Sequence, residues 1–323
     1  MSASVTICLC TYNGAPYLTE QLASLASQRR LPDEVVISDD GSRDGTLDLL
    51  ERWAASAPTR VLIERRADPV GHVANLQSAL RRASSDFVFI CDQDDRWSPE
   101  KVQRLALVLE DTPEVAGAFC DSALIDGASG PVAGSLWHTL RFGSAEQAAI
   151  ASGRGLKVLL RRNVVAGHAL ALRRDRLDLL LPFPEIDHAD WWLALGLLLD
   201  GGLVPLNEQL VEYRLHSGNT VGLRSRTSVA WRIASTSPIA RSKGDAALLD
   251  ELVRRFDSFR PDSLNDGDRA LVQAKITHSL TRGSLSPRRL SRVVPIVEAV
   301  ASGDYRRFSN GWRSALIDLA APT

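Results

Sequence analysis

The sequence predicts an α/β protein with a mostly parallel central sheet flanked by helices, followed by a helical C-terminal region. Three observations predict it. Apolar, β-favouring runs alternate with stretches of about ten residues that carry a helical apolar stripe. The first runs end directly in turn or acidic residues. From about residue 224 the alternation stops and the pattern is helical throughout. The expected division is residues 1–222 for the α/β part and 223–323 for the helical accessory region.

Val5 to Cys10 is a continuous apolar run and reads as a buried parallel strand. Tyr12-Asn13-Gly14 turns the chain, and Tyr17 to Gln28 follows as a helix with Leu18, Leu22 and Leu25 on one face. Pro32 breaks it. Glu34 to Ser38 is the second strand, ended by Asp39-Asp40-Gly41-Ser42. A helix over Asp44–Ala55, a strand over Arg60–Ile63 and a helix over Val73–Arg82 come next. Phe87 to Cys91 is the fourth strand, and Asp92-Gln93-Asp94-Asp95 follows it at once. Pro99–Leu109 reads as a helix, Val115–Cys120 as a strand leading to Asp121, and 127–153 as a loop with short helices. The pattern over Leu156–Asp178 is mixed. Trp191–Leu199 reads as a buried helix and Leu210–Arg214 as a strand, with later helices around Ala246–Phe259, Asp266–Leu280 and Val293–Ala301. In a doubly wound sheet the carboxyl ends of parallel strands share one edge, where ligands bind. Thr11-Tyr12, Asp39-Asp40 and Asp92 to Asp95 are therefore expected to converge.

Composition narrows the function classes. The chain has 323 residues and a formal net charge of -1, so nothing in its overall charge calls for nucleic acid. Basic residues gather after Arg224, at Arg254-Arg255, Arg288-Arg289 and Arg306-Arg307, which suits either an anionic surface partner or a solvated helical face. The cysteines, at 8, 10, 91 and 120, match no zinc spacing and read as reduced core thiols. No signal peptide is legible at Met1-Ser2-Ala3-Ser4, and the longest apolar run, Trp191 to Leu199, is far short of the ~20 residues a membrane span needs. A cytoplasmic protein is the expectation.

The acidic cluster carries the first chemical signal. With period-two alternation Asp92 and Asp94 face the same way, and two adjacent carboxylates repel unless a cation lies between them. Oxygen ligands favour Mg²⁺ or Mn²⁺. A solvated acidic turn ahead of a helix also fits the residue types. Asp39-Asp40-Gly41-Ser42 by itself reads as a turn with a helix cap; beside the acidic cluster an Asp here can accept from a nucleobase N–H, with Tyr12 placed to stack on the base.

Taken together, Thr11-Tyr12-Asn13, Asp39-Asp40-Gly41-Ser42, Gly71 with Asn75, and Asp92-Gln93-Asp94-Asp95-Arg96-Trp97 with Lys101 resemble family 2 glycosyltransferases of the GT-A fold. Among these they are most similar to the bacterial rhamnosyltransferase-like branch. The resemblance covers roughly residues 4 to 222 and implies a nucleotide-sugar donor bound by Thr11, Tyr12, Asn13, Asp39, Asp40, Asn75, Asp92, Gln93 and Arg214. It implies Mn²⁺ or Mg²⁺ held by Asp94, Asp92, Asp95 and His216, with Asp94 the foremost ligand and Asp92 shared with the ribose. Asp190, in His188-Ala189-Asp190-Trp191-Trp192, matches the catalytic base, although Ala189 stands where the family has Glu. Read by itself, Asp190 is equally an N-cap of a buried helix. Asp121, Asn163, Gly167, His168 and Trp191 fall on the acceptor side, His168 also reading as a satisfied core histidine. Arg214-Leu215-His216-Ser217-Gly218-Asn219 resembles the segment that closes over the donor pyrophosphate.

The function expected is inverting transfer of a hexosyl-type sugar from a UDP- or dTDP-sugar to a saccharide or lipid-linked acceptor, in cell-surface polysaccharide synthesis. It is placed in the cytoplasm or at the inner face of the membrane, with peripheral contact through the basic C-terminal helices. A non-catalytic nucleotide- or glycan-binding module is the alternative, supported by Ala189. Sugar-1-phosphate nucleotidyl transfer would need a Gly-rich basic loop after the first strand, which Thr11 to Pro16 is not.

Overall fold

The computed structural model describes residues 2–187, 189–216, 238–261 and 263–321. The chain forms two compact units. The first comprises Met1–Gly153, Val164–Phe183 and His188–Arg224, and the second comprises Arg154–Asn163, Pro184–Asp187 and Ser225–Thr323. Two short stretches from within 1–222 thus group with the C-terminal helices, and position 222/223 lies outside the described residues.

The first unit is built on one sheet. Its strands are β1 (Val5–Thr11), β2 (Glu34–Asp39), β3 (Arg60–Arg65), β4 (Phe87–Asp92), β5 (Arg96–Trp97), β6 (Gly117–Asp126), β7 (Pro131–Ser135), β8 (Leu170–Arg173) and β9 (Leu203–Leu215). They lie in the order β3-β2-β1-β4-β8-β6-β9-β5, with β7 paired to β6. Strands β1 to β4 are mutually parallel, joined by α1 (Ala15–Ala26), α2 (Thr46–Ala54) and α3 (His72–Arg82). Every residue of β1 and β2 is buried, because helices cover both faces of a parallel sheet. The core joins Ile7, Leu9, Val35, Ile37, Phe87 and Phe89 to Leu18, Leu22 and Leu25 of α1. All four cysteines are free and buried.

Beyond β4 the sheet is mixed. β8 runs antiparallel to both β4 and β6 and fills the gap between them. It has four residues, too few for a legible period. β7 lies in the stretch expected to be loop. It is short, begins at Pro131 and has four exposed residues out of five, so it carries no apolar alternation. β9 is longer than the expected Leu210–Arg214. Its first half contains Asn207, Glu208 and Gln209, which interrupt the apolar run, and its register on β6 shifts around Asp121.

The remaining helices of this unit are α4 (Lys101–Asp111), α5 (Leu136–Leu140), α6 (Ser144–Ala151), α8 (Leu177–Leu180) and α9 (Ala189–Leu199). From Ala189 to Leu198 only Asp190 is not buried. Gly196 permits this packing, since a Cβ there would lie 2.2 Å from Leu180 Cδ2. Trp192 is fully buried, and its indole N–H donates to the Leu180 carbonyl at 2.9 Å.

The second unit contains α7 (Leu156–Arg161), α10 (Pro238–Phe259), α11 (Asp266–Gly283), α12 (Val293–Ala301), α13 (Asp304–Phe308) and α14 (Trp312–Ala320). Leu285, Ile296, Ala299, Tyr305 and Ala315 form a small core. Beside it Arg282 makes a two-pronged ion pair with buried Asp318, at 2.6 and 2.8 Å, and the Tyr305 hydroxyl donates to Asp318 at 2.7 Å. Arg292, also fully buried, donates to the Asp318 and Ala321 carbonyls at 2.8 Å each and so satisfies the end of α14.

Candidate active site

The carboxyl ends of β1 and β2 are bound into one platform. Asp39 is fully buried, accepting from the Thr11 hydroxyl at 2.7 Å, the Ser42 hydroxyl at 2.6 Å and the Ser42 N–H at 2.8 Å. Ser42 in turn accepts from the Asn13 N–H at 2.8 Å, and Asn13 Oδ1 accepts from the Arg43 N–H at 2.9 Å. Gly41 has φ +81°, a left-handed conformation that suits glycine, and lets the chain turn tightly between these contacts. Asp40 uses one oxygen on the Val70 N–H and the other on the Gly71 N–H, each at 2.8 Å, and so holds the loop ahead of α3. Asn75 of α3 donates to the Ser38 carbonyl at 2.9 Å, while its buried Oδ1 has no hydrogen-bond partner.

Gln93 ties this platform to the acidic turn. Its side-chain oxygen accepts from the Tyr12 N–H at 2.8 Å and its amide donates to the Tyr12 carbonyl at 3.0 Å. The Tyr12 ring is left 48% exposed above the strand ends. Gly14 leaves room for this clamp, since a Cβ there would lie 2.1 Å from Gln93 Oε1. Gln93→Ala and Gly14→Ala are both expected to raise donor KM about tenfold or more, each losing two hydrogen bonds worth about 1 kcal/mol apiece, with a smaller effect on kcat. Steady-state kinetics check this, and an unchanged KM in both variants would remove the clamp from donor binding.

The acidic turn departs from the sequence expectation in one respect. β4 ends at Asp92, so period-two alternation does not continue to Asp94. The turn instead brings Asp92 and Asp95 together with His168, their ligand atoms all within 4.8 Å of one another. His168 Nδ1 is 3.6 Å from Asp95 Oδ2 and 3.8 Å from Asp92 Oδ2, while Nε2 is 3.0 Å from the Ser122 hydroxyl. Its ring stacks on Tyr213 at 4.7 Å. Asp94 lies apart on His216, Oδ2 to Nε2 2.8 Å. Asp92 is about one-third exposed, whereas Asp95 is wholly buried.

The electrostatics of this cluster suit a cation. Burial pushes Asp92 up to about 6, with the neighbouring charges of Asp94 and Asp190 adding to it. Burial pushes Asp95 well above the usual carboxylate range too, helped by Asp94 and Asp92. His168 is pulled down to about 3 by burial and by the Lys101 charge, so it is neutral near pH 7. In the tautomer that donates from Nε2 to Ser122, Nδ1 presents a lone pair to the two carboxylates. Asp95 Oδ2 is buried with no hydrogen-bond partner. Three electron-rich atoms facing one another, one of them orphaned, match the oxygen and imidazole donors a small divalent ion takes.

Arg214 supports this turn from within. It is fully buried. Its backbone N–H donates to Asp95 Oδ1 at 3.1 Å, and its guanidinium donates to the Asp94 carbonyl at 2.7 Å, to Ser129 at 2.7 Å and to Glu20 at 3.0 Å. A donor phosphate is the sequence expectation for this side chain, and these contacts tie the same side chain to the scaffold of the turn. Lys101 is likewise fully buried, donating to the His168 carbonyl at 2.5 Å, with its ammonium 3.2 Å from the centre of the Trp97 ring.

Asp190 is the second residue of α9, and its Oδ1 accepts from the Trp191 N–H at 2.8 Å. Gly167 sits against it, since a Cβ there would be 3.9 Å from Asp190 Cβ. Gly167 is the chain neighbour of His168, so Asp190 lies near the acidic cluster, and its charge helps raise Asp92. Of the acceptor-side residues, Trp191 is buried and Asp121 accepts from the Ser122 and Trp137 N–H groups at 2.7 and 2.9 Å. Asn163 belongs to the second unit. His188 and Ser217-Gly218-Asn219 lie outside the described residues.

Residues 6–153 match the family described as Glycosyl transferase family 2. Over that segment the chain is similar to family 2 glycosyltransferases. An uncharacterized glycosyltransferase of Nostoc sp. is 26% identical over 223 residues, which are 67% of this chain and 66% of that protein. The chain spans only 57% to 66% of the length of the first curated relatives it matches. Two solved structures share the GT-A glycosyltransferase fold. TarS 1-349 of S. aureus in complex with UDP-GlcNAc has a TM-score of 0.60 at 17% identity, covering 98% of this chain and 89% of that one. The mannosyltransferase PcManGT from Pyrobaculum calidifontis, in complex with GDP-Man and Mn2+, has a TM-score of 0.58 at 20% identity, covering 98% and 86%.

The partnerships of several residues at this site were invisible in the sequence. His168 joins the acidic cluster because the turn Gly167–Ala169 precedes β8, which is hydrogen-bonded beside β4. Glu20 and Ser129, which receive Arg214, sit in an ordinary helix and an ordinary loop. Their only available signal was polarity within segments whose neighbours in space were unknown.

Proposed function

We propose that this chain transfers a sugar, with inversion, from a UDP- or dTDP-sugar to a hydroxyl of a saccharide or lipid-linked acceptor in the synthesis of a cell-surface polysaccharide. The observation that carries the reading is the gathering of Asp92, Asp95, His168 and Asp190 in one neighbourhood, with the exposed ring of Tyr12 held to the same turn by Gln93. Tyr12 offers its face to the base, and Thr11, Asn13, Asp39, Asp40 and Asn75 shape the base and ribose platform. Asp92, Asp95 and His168 would hold Mn²⁺ or Mg²⁺, with Asp94 and His216 next to them. Bound there, such an ion would supply positive charge to offset that of the leaving diphosphate. Asp190 takes the acceptor hydroxyl proton as the oxygen bonds to the anomeric carbon. The bond from that carbon to the diphosphate breaks, and the nucleoside diphosphate leaves with the electron pair.

Among the described residues no helix is long and apolar enough to cross a membrane. The proposed place is the cytoplasm, at the inner face of the membrane, with contact through the basic C-terminal helices. A thermal-shift screen of UDP- and dTDP-sugars with and without Mn²⁺, followed by measurement of nucleotide release, tests the function. Stabilisation by one donor together with metal-dependent release is expected. A donor that stabilises the protein without any release would favour a non-catalytic binding module, the reading that Ala189 supports.

A further inference from the structure

The second unit leaves an apolar face uncovered. In α12, Val293, Val294, Val297 and Val300 are each between 41% and 64% exposed. At 100° per residue they share one arc about 120° wide, while Ile296 and Ala299 point the other way into the core. Leu290, just ahead of the helix, is 88% exposed. The neighbouring α14 repeats the pattern, with Trp312 and Leu316 exposed one turn apart and Ala315 and Asp318 buried behind them. A helix at a solvated surface puts polar residues outward. These two put valine, leucine and tryptophan there.

The exposed charges in this part of the chain are mainly basic. Residues 286–323 contain six arginines and three acids. Asp318 is buried against Arg282, and Arg292 is buried on backbone carbonyls. Arg288, Arg289, Arg306, Arg307 and Arg313 are exposed, against exposed Glu298 and half-buried Asp304. Arg289 reaches the Ala320 carbonyl at the end of α14, and the Arg313 guanidinium lies 5.7 Å from the Trp312 ring. We propose that this face docks on an anionic lipid surface. The apolar stripe enters the boundary between headgroups and acyl chains, Trp312 sits at headgroup depth, and the arginines meet lipid phosphates. A second copy of the chain is a poorer occupant, because a two-fold interface would set the same arginines against each other. The inference deepens the lipid-linked acceptor reading and rests on it only for its purpose, since vesicle binding needs neither donor nor acceptor.

Co-sedimentation of the full chain with vesicles tests it. Binding to phosphatidylcholine vesicles with about 30% phosphatidylglycerol should exceed binding to pure phosphatidylcholine at least about tenfold, and should weaken with added salt. Val294→Asp/Val297→Asp should lower it at least about tenfold with unchanged thermal unfolding, both sites being exposed. Arg306→Gln/Arg307→Gln should lower both binding and its salt dependence. Equal binding of the aspartate variant and the parent, or no binding to either vesicle, overturns the proposal. A dimer in sedimentation velocity that the aspartate variant turns into monomer also overturns it, assigning the face to self-association. Vesicle binding without any sugar transfer would support docking while removing the transferase reading.

Discussion

Asp190→Asn is expected to lower sugar transfer at least about a hundredfold while leaving donor affinity within about twofold. The substitution keeps the shape and the acceptor that receives the Trp191 N–H, so α9 keeps its start. It removes the negative charge and with it the ability to take a proton. Asp190 is also the one residue between Ala189 and Leu198 that is not buried, so the change leaves the packing of the helix intact. A second effect has the opposite sign. The Asp190 charge helps raise Asp92, so its removal should let Asp92 lose its proton at lower pH. Metal binding in the variant should therefore persist further into acid even as transfer fails. Single-turnover kinetics with saturating donor would separate the two. Retention of most of the transfer rate would remove Asp190 from the base role.

Asp95→Asn is expected to weaken Mn²⁺ binding at least about a hundredfold and to abolish metal-dependent stabilisation. Burial already disfavours the Asp95 charge, and its Oδ2 has no hydrogen-bond partner, so the metal-free protein should not lose stability on neutralising it. The neighbouring Asp92 sets the pH dependence. Its proton is held up to about pH 6 when folded, above the ordinary carboxylate value of about 4. The folded state binds that proton more tightly than the unfolded state does. This group's contribution to metal-free stability is therefore fully present below about pH 4 and is lost as pH rises through 6. Metal affinity runs the other way, falling up to about tenfold per unit below pH 6 as the proton competes for the ligand. Calorimetric titration of Mn²⁺ between about pH 5 and 8 reads both trends. Affinity flat across that range would take Asp92 out of the ligand set.

What was legible in the sequence was local. The first four strands appear as apolar runs because a parallel sheet covered on both faces needs them, and Asp39, Asp40 and Asp92 stand at their ends as the runs imply. The buried helix at Asp190 was equally plain from Trp191 to Leu199. Pairing across the sheet was not legible. Asp95 was ranked below Asp94, yet the turn after β4 puts Asp95 beside Asp92 and leaves Asp94 on His216. His168 read as a core or acceptor residue because nothing near it reveals that β8 lies against β4. Arg214, expected at a phosphate, is drawn inward by Glu20, Ser129 and the Asp94 carbonyl, partners distant in the chain.

The place of β8 bears on how the protein can be cut and how it is made. The matched family segment ends at 153, but the sheet does not. β8 separates β4 from β6, and β9 runs beside β6. A fragment stopped at 153 would have a slot through its middle and would lack His168, Asp190 and Arg214. On the ribosome, likewise, the early half of the chain must wait for residues 170–173 to bridge its two groups of strands, and the acidic turn gains its last support only when Arg214 has emerged.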